Sequence, residues 1–210
     1  MHPNPTFHIA TRDENLAFAR ERGFGMLALS SDGAPHLSHV PFIISEDGTA
    51  AELHLARSSA TARAAKETRP ATLAVTGPDG YISPDWYDMP DQVPTWNYVA
   101  VHLSGRLVPL PDTALRDQLD RLSEAFETRL LPKPVWQSSK MDAEALSRLL
   151  RMIRPFRFEI DDVQGTWKFS QNKPDAARLG AASHVAGSSI GSDLALLSGL
   201  MQAPIEKAPK

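Results

Sequence analysis

A mainly β fold with intervening helices (α+β), closing as a small barrel, is the class this sequence predicts. Three observations carry that expectation. Short runs of alternating apolar and polar residues between positions 25 and 56 are punctuated by Asp-Gly pairs, the dipeptide of tight hairpin turns. A longer alternating run covers Trp96 to Leu110. Two stretches with helical spacing then separate it from further strand-like segments, which suits a barrel decorated with helices.

The elements follow in order. Thr11 and Glu14 form a capping-box pattern ahead of a helix over Asp13 to Arg22, which would bury Leu16, Phe18 and Ala19 before Gly23 and Gly25 stop it. Gly25 to Ser31 reads as a strand ending at Asp32-Gly33. His36 to Ile44 is a second, ending near Asp47-Gly48, and Ala51 to Ala56 is a third with one wet face. Ala60 to Thr68 reads as a short helix, Ala71 to Gly77 as a strand, and Gly80 to Ser83 as a possible further one. Pro84, Pro90 and Pro94 keep the segment they span out of regular structure. On the long strand, Val99, Val101 and Leu103 share one face, with Tyr98, Ala100, His102 and Ser104 on the other. Asp112 is placed to cap a helix with Leu115, Leu119, Leu122 and Phe126 on its stripe. Asp142 is placed to cap another carrying Leu146, Leu149, Leu150 and Ile153. Phe156 to Ile160 returns to strand, and Gly165 to Pro174 closes the ordered core. Residues 1–180 therefore read as one domain. Residues 181–210 form an Ala/Gly/Ser-rich segment, with a helix over Asp193 to Met201 and a loose tail from Ala203.

Composition narrows the function classes. With 210 residues, 42% hydrophobic and 22% charged, the chain is of globular type, and a formal charge of -3 gives no global attraction to nucleic acid or anionic lipid. It has no cysteine, which excludes disulfides, thiolate metal sites and a cysteine nucleophile. The polar N-terminus shows no signal-peptide pattern and no window is apolar enough to span a membrane, so a cytoplasmic setting is expected. His36 and His39, three apart on a strand, face opposite ways and cannot chelate one ion. Arg148, Arg151, Arg154 and Arg157 are the nearest thing to a basic stripe. They read as the polar face of an amphipathic helix, with Glu144 positioned to pair Arg148, rather than as a DNA-reading element.

Two segments stand out chemically. Tyr81 to Gly105 holds two of the four tryptophans and all three tyrosines around a proline-rich loop. Such a wall suits a planar ligand, or else caps the barrel as core. Thr166 to Pro174 follows an aromatic with Lys168, Ser170, Gln171, Asn172 and Lys173, donors suited to phosphate, carbonyl or ring-nitrogen acceptors, or to an ordinary polar loop.

The runs YISPDWY, VPTWNYVAVH and WKFSQNKP closely resemble the PaiB-like FMN-binding negative transcriptional regulator family, of the FMN-binding split-barrel fold. The N-terminal MHPNPTF, RGFGMLAL, HVPF and HLAR segments are compatible with it, so the resemblance covers roughly residues 1 to 180. It implies a homodimer with FMN near the subunit interface, and it carries a label of transcriptional repression. By residue, it implies that Arg57, with Ser59 and Thr61 at the following helix start, faces the FMN phosphate. Here Ser59-Ala60-Thr61 replaces the Asn-Pro-polar run common in relatives, which keeps the hydrogen-bonding character and changes the ligands. Trp96 and Asn97 would shape the isoalloxazine pocket, His39 would lie beside the ring, and Lys168, Gln171 and Asn172 would close the site. A flavin oxidoreductase using a reduced nicotinamide is the competing reading, because the cofactor carries the chemistry and no residue stands out as acid, base or nucleophile. A third is a split barrel holding another planar ligand, haem or pyridoxal phosphate. Direct DNA binding has no visible motif behind it.

Overall fold

The computed structural model describes residues 1–30 and 33–203. Its strands are β1 (Phe24–Leu29), β2 (His36–Ile44), β3 (Ala50–Ala56), β4 (Arg69–Ile82), β5 (Thr95–Pro109), β6 (Ile153–Lys168) and the two-residue β7 (Gly191–Ser192). The helices are α1 (Arg12–Arg22), α2 (Ala60–Ala64), α3 (Leu115–Glu127), α4 (Ala143–Leu150), α5 (Asp175–Val185) and α6 (Leu194–Gln202). The sheet runs β1-β2-β3-β6-β5-β4-β7, and a β1–β4 pairing closes its first six strands into an antiparallel barrel. No helix among the described residues is long and apolar enough to cross a membrane.

The chain divides into two compact units. Unit 1 comprises residues 1–18, 75–102 and 163–210, and unit 2 comprises residues 19–74 and 103–162. In unit 2 the alternation of β2 and β3 buries Val40, Phe42, Leu53 and Leu55, and β6 adds Phe156 and Phe158. Asp47 turns the β2–β3 connection. Its carboxylate accepts from the Ser45 hydroxyl and from the Thr49 amide and hydroxyl, and these bonds hold its carboxyl down at about 2. Gly105 lets β5 lie against β6, since a Cβ there would stand 1.8 Å from the Glu159 carbonyl oxygen. The core of unit 1 is built by Val99, Trp167 and Phe169 with Ala181, Leu197 and Met201. There the buried Arg178 caps the end of α6, donating to the carbonyls of Met201 and Gln202 and, at 2.8 Å, to Asp175.

Several expectations need correcting. The two strands anticipated over residues 71–83 are one strand, β4. Its glycines do not break it but admit neighbours: a Cβ at Gly77 would lie 2.7 Å from the Phe18 ring, and one at Gly80 would lie 2.8 Å from Leu197. Phe156 to Ile160 and the start of the Gly165 run are likewise one strand, β6. The proline-rich segment contains a 3₁₀ turn, Pro84–Tyr87, capped by the Ser83 hydroxyl. Asp112 does not cap its helix. The chain enters α3 through a 3₁₀ turn with no side-chain cap, and the Asp112 carboxylate is held by Arg57 instead. Of the four spaced arginines only Arg148 lies in α4; Arg151 is its C-cap, and Arg154 and Arg157 are in β6. The Glu144–Arg148 pair is present at 3.9 Å. The Asp32-Gly33 turn and the tail beyond Ala203 lie outside the described residues.

Candidate functional site

In unit 1 the end of β6, the start of β5, the proline-rich loop and the N-terminal residues enclose a cleft of about 270 Å³. Local sequence explains each wall. Asn4 accepts from the Thr6 amide and starts the Pro5–Phe7 turn, which buries the Phe7 ring. Ser170 leaves β6 in the left-handed region, with φ 62°, so Lys168 before it and Lys173 after it both line the same cleft. A non-glycine held there costs on the order of 1 kcal/mol and needs local compensation. Ser170 has that compensation, because its buried hydroxyl shares a 2.6 Å hydrogen bond with the Tyr87 hydroxyl and accepts one of 2.9 Å from the Asn97 amide.

The Lys168 ammonium donates to the Thr95 hydroxyl at 2.5 Å and lies 5.7 Å from the Phe7 ring centre. The Lys173 ammonium donates to the Gln92 side-chain oxygen at 2.5 Å and lies 5.5 Å from the Tyr87 ring centre. Burial, and then the Lys173 charge, push Lys168 below the usual lysine range. Burial pushes the Tyr87 phenol up.

The remaining sequence-selected residues are distributed as follows. Lys168 and Asn172 line the cleft. Gln171 is spent on its own turn, accepting from the Phe169 amide at 2.7 Å and donating to the Trp167 carbonyl at 2.6 Å. Asn97 is fully buried, and its side-chain oxygen has no hydrogen-bond partner. Trp96 is exposed, with its ring edge-on to Tyr81 at 6.3 Å.

In unit 2, Ser59 caps α2 by accepting from the Ala62 amide, and the buried Thr61 hydroxyl bonds Ser38 at 2.8 Å. His39 is exposed and stacked with Phe24 at 6.3 Å. Arg57 is heavily engaged, donating to both Asp112 carboxylate oxygens at 3.1 Å and to the Arg151 and Ile153 carbonyls. It lines a groove of about 550 Å³ with Arg116, Ser147 and Arg151. Sequence reasoning left Phe7, Thr95 and Tyr87 out of its site residues, and Lys173 with them. Tyr87 and Thr95 sit inside the Tyr81 to Gly105 block and Lys173 inside Thr166 to Pro174, while Phe7 lies in the N-terminal MHPNPTF run, so the signal was present without any indication of direction.

A closed six-stranded antiparallel barrel with helical insertions defines the split-barrel class. The chain belongs to the PaiB-like family of FMN-binding split barrels: the family model described as "Putative FMN-binding domain" matches residues 1–162. It is 29% identical over 169 residues, 80% of each chain, to "Protease synthase and sporulation protein PAI 2" of Bacillus subtilis. Among solved structures it resembles the FAD and heme binding protein of Mycobacterium smegmatis, with TM-score 0.55, 22% identity and coverage of 86% of this chain and 80% of that one. It also resembles the flavocytochrome Anf3 of Azotobacter vinelandii, with TM-score 0.53, 14% identity and coverage of 80% and 72%. These two likenesses are of fold.

Proposed function

We propose that this protein binds FMN as a homodimer and acts as a flavin-dependent regulator of the PaiB-like type in the cytoplasm. The observation that supports the reading best is the unit 1 cleft, where an ammonium and an amide, Lys168 and Asn172, stand beside the aromatic Phe7 and Tyr87. Flavin offers carbonyl and ring-nitrogen acceptors to such donors and a flat face to such rings, so the residues present fit the group. FMN is favoured over other flavins by the family match. When bound, it supplies the redox chemistry; the chain's residues bind it, orient it and exclude water.

The size of the cleft supports a dimer. Ligand pockets generally measure about 300–1,000 Å³. At about 270 Å³ this one encloses part of a flavin. A second copy would supply the remaining wall, and the exposed Val93 and Trp96 offer apolar surface for it. In unit 2, Arg57, Ser59 and Thr61 are proposed for an FMN phosphate and His39 for its ring, as the family resemblance implies. For Arg57 this requires the Asp112 carboxylate to yield its place to the phosphate.

The regulatory part of the reading draws on the resemblance to the PaiB-like family; the Bacillus relative's name speaks of protease synthesis and sporulation. The oxidoreductase reading is favoured by one observation: the spaced arginines lie on two different elements, with Arg148 paired to Glu144 and Arg151 bonded to Ser147, which does not make a DNA-reading face. Titrating the purified chain with FMN while recording absorbance, then adding NADH or NADPH without oxygen, tests the proposal. Near-stoichiometric uptake, weakened in Trp96→Ala and Lys168→Ala, is expected. Full flavin occupancy in both variants would place the pocket elsewhere, and no uptake by the native chain would end the reading. Bleaching by the nicotinamide would transfer preference to the oxidoreductase.

A further inference from the structure

We propose that Lys173, together with Lys168, binds the oxyanion group of a small planar ligand, a carboxylate or a phosphate ester, in the unit 1 cleft. In the flavin reading above, on which its biological setting rests, this ligand is the small molecule that shares the site with the cofactor.

The charge arrangement carries the inference. Some cationic side chains, Arg57 and Arg178 among them, have a carboxylate within 4.0 Å, while others, such as Arg20 and Arg63, hold backbone carbonyls. Among the described residues Lys168 and Lys173 have no carboxylate at that distance, and their ammonium groups bond only the neutral oxygens of Thr95 and Gln92. Asp91 lines the same cleft without pairing either of them. Two like charges in one partly buried cleft oppose each other, and burial opposes each separately. Lys168 registers both effects in its lowered pKa. An oxyanion seated between the two ammonium groups reverses both penalties, with charge-assisted hydrogen bonds in place of neutral ones. The local charge is the more notable in a chain whose formal net charge is -3.

The walls set the rest of the ligand. Phe7 and Tyr87 bound the cleft on two sides, and Asn172 adds an amide. Lys173 is the discriminating residue, because it stands beyond the donors assigned to the flavin and reaches the cleft through the left-handed turn at Ser170.

The test is calorimetric titration of the full-length chain, with and without saturating FMN, using benzoate and inorganic phosphate as probes. Binding of at least one probe is expected, weakened by about tenfold or more in Lys173→Gln, the loss of one charge-assisted hydrogen bond. Lys173→Arg should restore it, and FMN affinity should stay within about twofold in both variants. Tighter benzoate binding identifies a ring carboxylate, and tighter phosphate binding a phosphate ester. Failure of the native chain to bind either probe overturns the proposal. So does an equal loss of FMN affinity in Lys173→Gln, which would make the lysine a cofactor ligand. If FMN does not bind at all, the flavin reading falls, while the probe titrations on the unloaded chain still decide the oxyanion site.

Discussion

Replacing Ser170 with Ala should destabilise the protein through hydrogen bonds that the substitution leaves unmade. The Ser170 hydroxyl is the hub of a buried trio, bonded to the Tyr87 hydroxyl at 2.6 Å and to the Asn97 amide at 2.9 Å. Removing it strands the Tyr87 hydroxyl. It also leaves the Asn97 amide with only the weak Met201 sulfur acceptor at 3.5 Å. Each stranded buried group costs about 1–3 kcal/mol, so the pair is worth about 3 kcal/mol. Backbone strain contributes little to the difference, because Ala and Ser are both disfavoured at φ 62°. In a chain of 210 residues each kcal/mol moves Tm by about 2–4 °C, so thermal unfolding should fall by about 6–12 °C. Adding Tyr87→Phe removes one stranded partner, so the double variant should be more stable than the sum of the two single losses by about 1 kcal/mol. Measured by circular dichroism or calorimetry, a loss under about 1 kcal/mol for Ser170→Ala, or strict additivity with Tyr87→Phe, would show that water or rearrangement satisfies these groups and that the trio does not hold the cleft's turn.

Other perturbations have equally definite signs. Gly105→Ala forces a Cβ to within 1.8 Å of the Glu159 carbonyl oxygen and should cost about 3 kcal/mol or more in a urea melt. Gly199→Ala, in α6 with nothing within 4 Å of the new Cβ, should stabilise by about 0.5–1 kcal/mol; equal effects of the two would contradict the close β5–β6 approach. Burial depresses the pKa of His54, whose Nδ1 has no hydrogen-bond partner, so the unfolded chain takes up the proton first as pH falls. The stability present above about pH 6.5 should therefore be lost on acidification, and His54→Gln should flatten the decline of Tm between about pH 7.5 and 5.5. Asp142→Ala removes acceptors for the Glu144 and Ala145 amides and should cost about 1 kcal/mol, read from the same thermal melts.

Much of the fold was legible wherever the governing interaction is local. The Thr11–Glu14 capping box forms with both reciprocal bonds, Thr11 N to the Glu14 carboxylate at 2.6 Å and Glu14 N to the Thr11 hydroxyl at 3.2 Å. Asp142 caps its helix, and the alternation over His36–Ile44 marks β2 residue for residue. Sequence reading failed where a distant residue decides. Gly77 and Gly80 look like breaks in isolation, yet inside β4 they are the places where Phe18, Val99 and Leu197 come close. Asp112 has the chemistry of a helix cap, but Arg57, 55 residues earlier, claims its carboxylate.

The same division runs through the site. The density of donors in WKFSQNKP pointed to Lys168 and Asn172, which do line one cleft. It could not show that Gln171 would turn back to bond the backbone at Trp167 and Phe169, because that depends on the left-handed turn at Ser170, an unusual choice for a non-glycine. Nor did it single out Lys173, whose place follows from that same turn. Phe7, Tyr87 and Thr95 lie within the residues 1–162 that the family model matches, whereas Lys168, Asn172 and Lys173 lie beyond them. The matched region thus supplies the cleft's aromatic walls and a neutral hydroxyl, and the segment after it supplies both cations. The WKFSQNKP run that holds both lysines also carries part of the resemblance to the PaiB-like family, so what each lysine meets, flavin or second ligand, has to be read from the chemistry of residues 168–173.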